Sequence, residues 1–455
     1  MNQSGVKAYQ TTGFGSKAHR HLVYPVRYIP TLSRPVPIPE SHVDWPQFVQ
    51  MRQEFDTREV TDLAGELVGG IRARLATSHA KPSESVAIGV GSRGVSPIRE
   101  VVTTLIGELK SSGLRPFVVP AMGSHGGGTA EGQRHVLGEY GITESGVGAP
   151  VEATMETRCL GTTPGGVDVH LDLNAFHADH IVIIARVKPH TGFRSDIESG
   201  LCKMLAVGMG KRNGAANIHE GGLVETIPEA AAVAIDSGKV LFGVALVENA
   251  FDRPYLVRVP APLDFHQTDR ELLIEAKRIL PRIPTARLDL LIVDEMGKDI
   301  SGTGMDTNII GMWRRIGGER IPDYGLLAVL RLRETSDGNA AGIGLADFTT
   351  QSLVDEIDRK QTYVNALTAL APFMARIPVT MATDRDCLEA AIGLAKRTAK
   401  SDLRVGRIKN TLELESFSVT PPVAKEMRLV GAAQPEGEPS QLRFDPNGNL
   451  SDIKP

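Results

Sequence analysis

From Ser85 onward the chain alternates short apolar runs with amphipathic segments, and glycine-rich loops follow several of the runs. SVAIGV, LRPFVVPAM, ADHIVIIARV and KVLFGVALVENA read as buried strands. SPIREVVTTLIGELKSSG, the segment after GSHGGG, and GGLVETIPEAAAVAIDSG read as helices between them. Parallel strands need crossover connections, usually helices, so this alternation predicts an α/β fold with a mostly parallel sheet covered on both faces. In the first helix Ser96 is the expected cap and Pro97 the first helical residue.

A second unit opens with RLDLLIVDEMG, continues through DYGLLAVLRLRE, and carries helices over LVDEIDRKQTYVNALTALAPF and DCLEAAIGLAKRTA. With 455 residues the chain is too long for one ordinary core. The expected division is an N-terminal catalytic and cofactor-binding domain over 1–283 and a C-terminal domain over 284–455, with the active-site cleft between them. Residues 1 to about 45 read as irregular, with five prolines in YPVRYIPTLSRPVPIPE. VDWPQFVQMRQEFDTREVTDLAGELVGGIRARLATSHA has helical apolar spacing with an expected break near Gly69. The polar tail from about Val430 is expected to wrap the surface or hang loose.

Charge narrows the partners. Fifty basic residues against 54 acidic ones leave a net charge of −4, which gives no electrostatic case for nucleic acid or an anionic membrane. The three cysteines, Cys159, Cys202 and Cys387, are too far apart in sequence to suggest a disulfide framework or a CxxC site. No apolar run reaches membrane-spanning length and the N-terminus lacks a signal-peptide core, so a cytoplasmic location is the expectation.

Five loops carry the candidate chemistry. Gly89-Val-Gly91-Ser-Arg-Gly94 follows a strand and precedes a helix, the setting of a dinucleotide loop. The next strand, however, ends in proline and glycine instead of an acidic residue for the ribose. Arg93 inside the loop suits two-point contact with a substrate carboxylate or phosphate. Gly123-Ser-His125-Gly-Gly-Gly128 places a histidine at a strand's carboxyl end, with Gly126 and Gly127 allowing close backbone approach. Lys188-Pro-His190 does the same at another strand end. Each histidine is either a satisfied structural residue or a general acid/base. Lys203, set among Leu201, Cys202, Met204 and Leu205, either snorkels or is a desolvated amine usable as an attachment point. His219, 16 residues on, is too distant for a helical metal pair. His177 and His180 in FHADH have no third ligand at suitable spacing, and no zinc site is assigned there. Gly297-Lys298-Asp-Ile-Ser301-Gly-Thr303-Gly-Met-Asp306-Thr-Asn308 is a polar, glycine-rich loop of the second unit, read either as a solvated turn or as a closing loop.

Taken together these residues resemble the nickel-dependent lactate racemases and related 2-hydroxyacid racemases and epimerases. His125, His190, Lys203 and His219 follow one another at intervals of 65, 13 and 16 residues, an order and spacing close to that family's. The similarity is strongest over about 85–225. The resemblance implies a nickel-pincer nucleotide, a pyridinium mononucleotide holding nickel through one carbon and two sulfurs. Lys203 would carry it through a thioamide link, His219 would complete the nickel ligands, and Gly126 and Gly127 would lie against it. His125 and His190 would be paired acid/bases. Arg93 would orient the substrate carboxylate, with help from Lys298. The chemistry implied is reversible hydride removal from the carbinol carbon, because that hydrogen is too poor an acid to leave as a proton. Separate maturation proteins would make the cofactor, and a homo-oligomer is compatible with the reading. Val90 replaces the acidic residue that the racemases have three positions before the arginine. DIESGLC is less glycine-rich than their run before the lysine, and the tail is longer. These departures point to a branch acting on another hydroxyacid or sugar acid. An NAD-dependent oxidoreductase using the Gly89 loop, and a non-catalytic binding protein on the same scaffold, stand as the alternatives.

Overall fold

The first sheet shows why its strands read as unbroken apolar runs. Along His180–Arg186, Ile181, Ile183 and Ala185 belong to one buried cluster while Val182 and Ile184 belong to another on the opposite face. Side chains alternate across a strand, so both faces are packed and every position must be apolar. The computed structural model describes residues 44–92, 97–399 and 401–451. The strand order in this sheet is Arg115–Pro120, Ser85–Val90, His180–Arg186, Val240–Glu248 and Pro254–Arg258. The first four strands run parallel and the last antiparallel. Ser85–Val90 lies second in this order: the chain passes from it to Arg115–Pro120 on one side and then crosses to His180–Arg186 on the other. Such a switch point forms a crevice at the strands' carboxyl ends.

The second sheet has eight strands. Val379–Met381, Phe348–Thr350, Asp323–Leu332, Arg287–Met296 and Val405–Ile408 are parallel. Ser416–Val419, Gln47–Arg52 and Gln434–Gln441 then add antiparallel pairings. The α/β class with mostly parallel sheets is therefore as the sequence reads. Contacts group Pro37–Pro455 as one compact unit holding both sheets. Among the described residues no helix is long and apolar enough to cross a membrane.

Four local expectations are corrected. Gln47–Arg52 is a strand of the second sheet, not helix, because Phe48 and Met51 are buried there. The two sheets thus do not divide the chain into two consecutive stretches. The following helix, Leu63–Thr77, runs through Gly69 without a break. A helical glycine costs only about 1 kcal/mol, and burial of Leu63, Leu67 and Ile71 outweighs it. The tail is not loose where Gln434–Gln441 pairs as an edge strand with Gln47–Arg52. Pro97 is the residue before the helix Ile98–Ser111, one position earlier than expected. Ser96, Arg93 and the proline-rich segment up to residue 43 lie outside the described residues.

Candidate active site

Three loops meet at the carboxyl ends of the first sheet. His125 follows Arg115–Pro120, Ser92 follows Ser85–Val90, and His190 follows His180–Arg186. Because Ser85–Val90 lies between the other two, the histidine loops start two strand spacings apart, about 10 Å.

The His125 loop turns on glycine. Gly126, Gly127 and Gly128 all have φ near +65°. At Gly126 a Cβ would also sit 2.7 Å from the Gln133 nitrogen, so no other residue fits there. His125 is exposed, and its Nδ1 faces the Ser92 hydroxyl at 2.5 Å. A hydroxyl donates or accepts, so either tautomer of His125 is supported. His190 is held in one state. Its main-chain N–H donates to the buried Glu198 at 2.7 Å, and its ring packs on Phe193. The Gly192 N–H donates to Nδ1 at 3.0 Å, so the neutral ring carries its proton on Nε2.

Lys203 ends the short helix Leu201–Lys203 and immediately precedes a π-helical turn, Met204–Gly208. Isolated π turns cluster at functional sites. The turn is joined to the His125 loop by the Gly123 N–H, which donates to the Gly208 carbonyl at 3.1 Å. The start of the Lys203 helix is anchored from a distant helix: Asp269 accepts from the Leu201 and Cys202 amides at 2.8 and 2.9 Å. Gly200, with φ 144°, leaves room for that carboxylate, which a Cβ would meet at 2.2 Å. The helix Lys211–Glu220 then carries His219 in its last turn. Burial, then the Lys203 ammonium, then the Arg315 guanidinium push the His219 pKa below its ordinary value. His219 is therefore a neutral imidazole at neutral pH, the form that coordinates metals.

Asp269 yields a pH prediction. Burial raises its pKa to about 7, against the pull of the two amides. A carboxyl whose folded pKa lies above its unfolded value binds more protons folded than unfolded between those values. Its contribution therefore falls as pH rises from about 4 to about 7 and is constant above. Asp269→Asn cannot titrate, so the gap between wild-type and variant denaturant midpoints should change across that window and be flat from pH 7.5 to 8.5. A constant gap from pH 4.5 to 8.5 would contradict this account.

The second sheet's loops reach the His190 turn. Thr307 and Arg315 each donate to the Thr191 carbonyl at 2.8 Å, and Asn308 accepts from Arg194 at 2.6 Å. Arg315 was not singled out by the sequence. Its neighbour Arg314 pairs with Asp347 at 3.0 Å, whereas among the described residues no carboxylate ion pair is seen for Arg315. Burial lowers the Arg315 pKa. A desolvated guanidinium close to His190 and His219 is suited to an anion. The only sequence signal was the adjacent pair of arginines after a glycine-rich loop. The Lys298 amine donates to the Gly302 carbonyl and to Asn365 Oδ1 at 2.6 Å, within its own loop and onto the helix Arg359–Thr368. His180, of the FHADH motif, pairs with Glu84 at 2.7 Å.

Residues 57–224 match the model of the lactate racemase N-terminal domain. No curated protein matches the chain. Among solved structures, the chain is similar to a protein from Thermotoga maritima at 14% identity and TM-score 0.47, over 70% of this chain and 84% of that one. It is also similar to the lactate racemase apoprotein from Thermoanaerobacterium thermosaccharolyticum at 14% identity and TM-score 0.47, over 83% of this chain and 96% of that one.

Proposed function

We propose, from the premise that residues 57–224 belong to the lactate racemase N-terminal domain family, that this chain is an isomerase which inverts the carbinol centre of a 2-hydroxyacid. The observation that carries the reading is the histidine pair at strand ends on either side of Ser85–Val90. One histidine, His190, is held with a proton on Nε2, and the other, His125, is able to present a lone pair there. A small substrate between them meets a proton donor on one side and an acceptor on the other.

Among the described residues no group of three or more His, Cys, Asp or Glu side chains is placed to hold a metal ion. A metal brought inside an organic ligand needs little more from the protein than one imidazole and a tether. The neutral His219 and the nearby Lys203 fit that requirement. In this reading Lys203 would hold a nickel-pincer nucleotide covalently and His219 would coordinate its nickel, with Gly126 and Gly127 as further residues of its site. When bound, that group supplies the hydride acceptor and donor that no side chain offers. His125 and His190 hold and exchange the proton of the substrate hydroxyl. Arg315 holds the carboxylate, taking the part expected of Lys298, with Arg93 as its expected companion. The second-sheet loop over Thr307–Arg315 closes the cleft and limits water at the reacting carbon. Separate maturation proteins load the cofactor.

The test uses protein co-produced with those maturation proteins and single stereoisomers of a series of 2-hydroxyacids, followed by chiral chromatography. Inversion without net oxidation and without added NAD is expected. Accumulation of keto acid only with free NAD would favour a dehydrogenase, and binding without turnover would favour a carrier. Arg315→Gln should raise KM about 10- to 100-fold, the loss of one charged hydrogen bond to the substrate carboxylate, with a smaller change in kcat. An unchanged KM would remove Arg315 from the substrate site.

A further inference from the structure

We infer that Gln133, oriented by the buried ion pair of Lys211 and Asp172, is a positioning residue for His125; the functional meaning of that position rests on the reading of His125 given above. Lys211 and Asp172 are both fully buried, with Nζ 2.9 Å from Oδ2. The same ammonium donates to the Pro120 carbonyl and to Gln133 Oε1 at 3.1 Å. The ammonium thus faces three oxygens, two of them through hydrogen bonds. An ammonium has no acceptor, so the Gln133 oxygen must face it and the Gln133 NH2 must face the other way. That NH2 donates to the Gly123 carbonyl at 2.8 Å and to the His125 carbonyl at 3.3 Å. The amide orientation, and with it the hold on both ends of the histidine turn, is dictated by Lys211.

Lys211 is itself unusual. It opens the helix that carries His219, and its φ of 52° lies in the left-handed region. A non-glycine residue there is strained and persists only when its surroundings fix it. Burial pulls the Lys211 pKa down, while Asp172 opposes that pull. A buried ion pair is a poor source of stability compared with apolar packing. This one ends outwardly on two main-chain carbonyls of a candidate catalytic loop, and inwardly on the segment bearing Lys203 and His219. It therefore sets the His125 turn relative to that segment.

Two variants separate positioning from stability. Gln133→Glu keeps an acceptor for Lys211 but turns a carboxylate oxygen toward the two carbonyls. Gln133→Met removes donor and acceptor together at similar size. The first readout is hydrogen exchange of the Gly123, His125 and Gly128 amides, which are bonded in the native turn, in protein without cofactor. Exchange at these amides is expected to rise at least about tenfold in both variants while the His180–Arg186 strand keeps its protection. The His125 ring resonances should move as well. In loaded enzyme kcat should fall more than KM rises. If Gln133→Met does not fold, Gln133→Glu decides. Wild-type exchange at the turn and unmoved His125 resonances would overturn the inference even in an active racemase. A loosened turn in a protein that inverts no hydroxyacid would leave the positioning intact and overturn the functional reading alone.

Discussion

Lys203→Ala, made alongside the maturation proteins, is expected to yield a chain whose intact mass lacks any cofactor adduct and whose nickel content falls to background. Nothing else in the site offers the same combination. Lys203 leads into the π turn, its preceding residues Leu201 and Cys202 are buried, and the Leu201 and Cys202 amides are pinned by Asp269. The amine is therefore presented from a fixed segment beside His219. Lys203→Arg sharpens the test, because it keeps the charge but offers no primary amine for a link. It should lose the adduct as completely as alanine does. His219→Ala should keep the organic adduct and lose most of the nickel, since the tether and the metal donor are different residues. Global stability should change by only about 1 kcal/mol for a partly buried lysine, so loss of the adduct cannot be ascribed to unfolding. An adduct that persists in Lys203→Ala would place the attachment elsewhere.

The sequence carried the fold's first sheet because two-faced burial leaves a signal no turn or surface helix imitates: unbroken apolar runs such as VIIA. That signal also put His125 and His190 at strand ends, since the loop after a strand's carboxyl end is fixed once the strand is. It failed where tertiary pairing decides. Gln47–Arg52 has apolar spacing compatible with either state, and only its partners Ser416–Val419 and Gln434–Gln441 make it a strand. Val405–Ile408 is four residues long and its sequence, VGRI, carries an arginine whose burial depends on Asp294 at 2.8 Å. No local pattern announces that. Lys211 and Arg315 were passed over for the same reason. In sequence each is one basic residue among fifty. What distinguishes Lys211 is burial against Asp172, 39 residues back along the chain, and what distinguishes Arg315 is a carbonyl on the other sheet's loop. Lys203 and His219 could be singled out by their interval because both lie in one continuous segment.

His125→Asn and His190→Asn should each slow inversion of the substrate by about 10²- to 10⁴-fold, the range for removing one general acid/base. The two residues enter from opposite sides of Ser85–Val90, so neither can do the other's work. For His190 the Gly192 amide on Nδ1 makes the neutral ring a donor at Nε2. For His125 the Ser92 hydroxyl tolerates either tautomer. Inverting the substrate in one direction uses one ring as base and the other as acid, and the reverse direction exchanges them; for His190 that exchange gives up the Gly192 bond, since a base at Nε2 carries its proton on Nδ1. The pH profile of kcat/KM in the wild type should accordingly be bell-shaped, and each single variant should lose one limb of the bell. Because the pair works as a unit, the double variant should be slower than either single one by far less than the product of their effects. Substrate binding, carried mainly by the arginines, should survive in all three. Initial rates by chiral chromatography over pH 5 to 10 would decide the matter. A variant within about threefold of the wild type would mean that the histidine serves the loop's structure. Retained binding with no inversion in the wild type itself would leave the scaffold as a carrier.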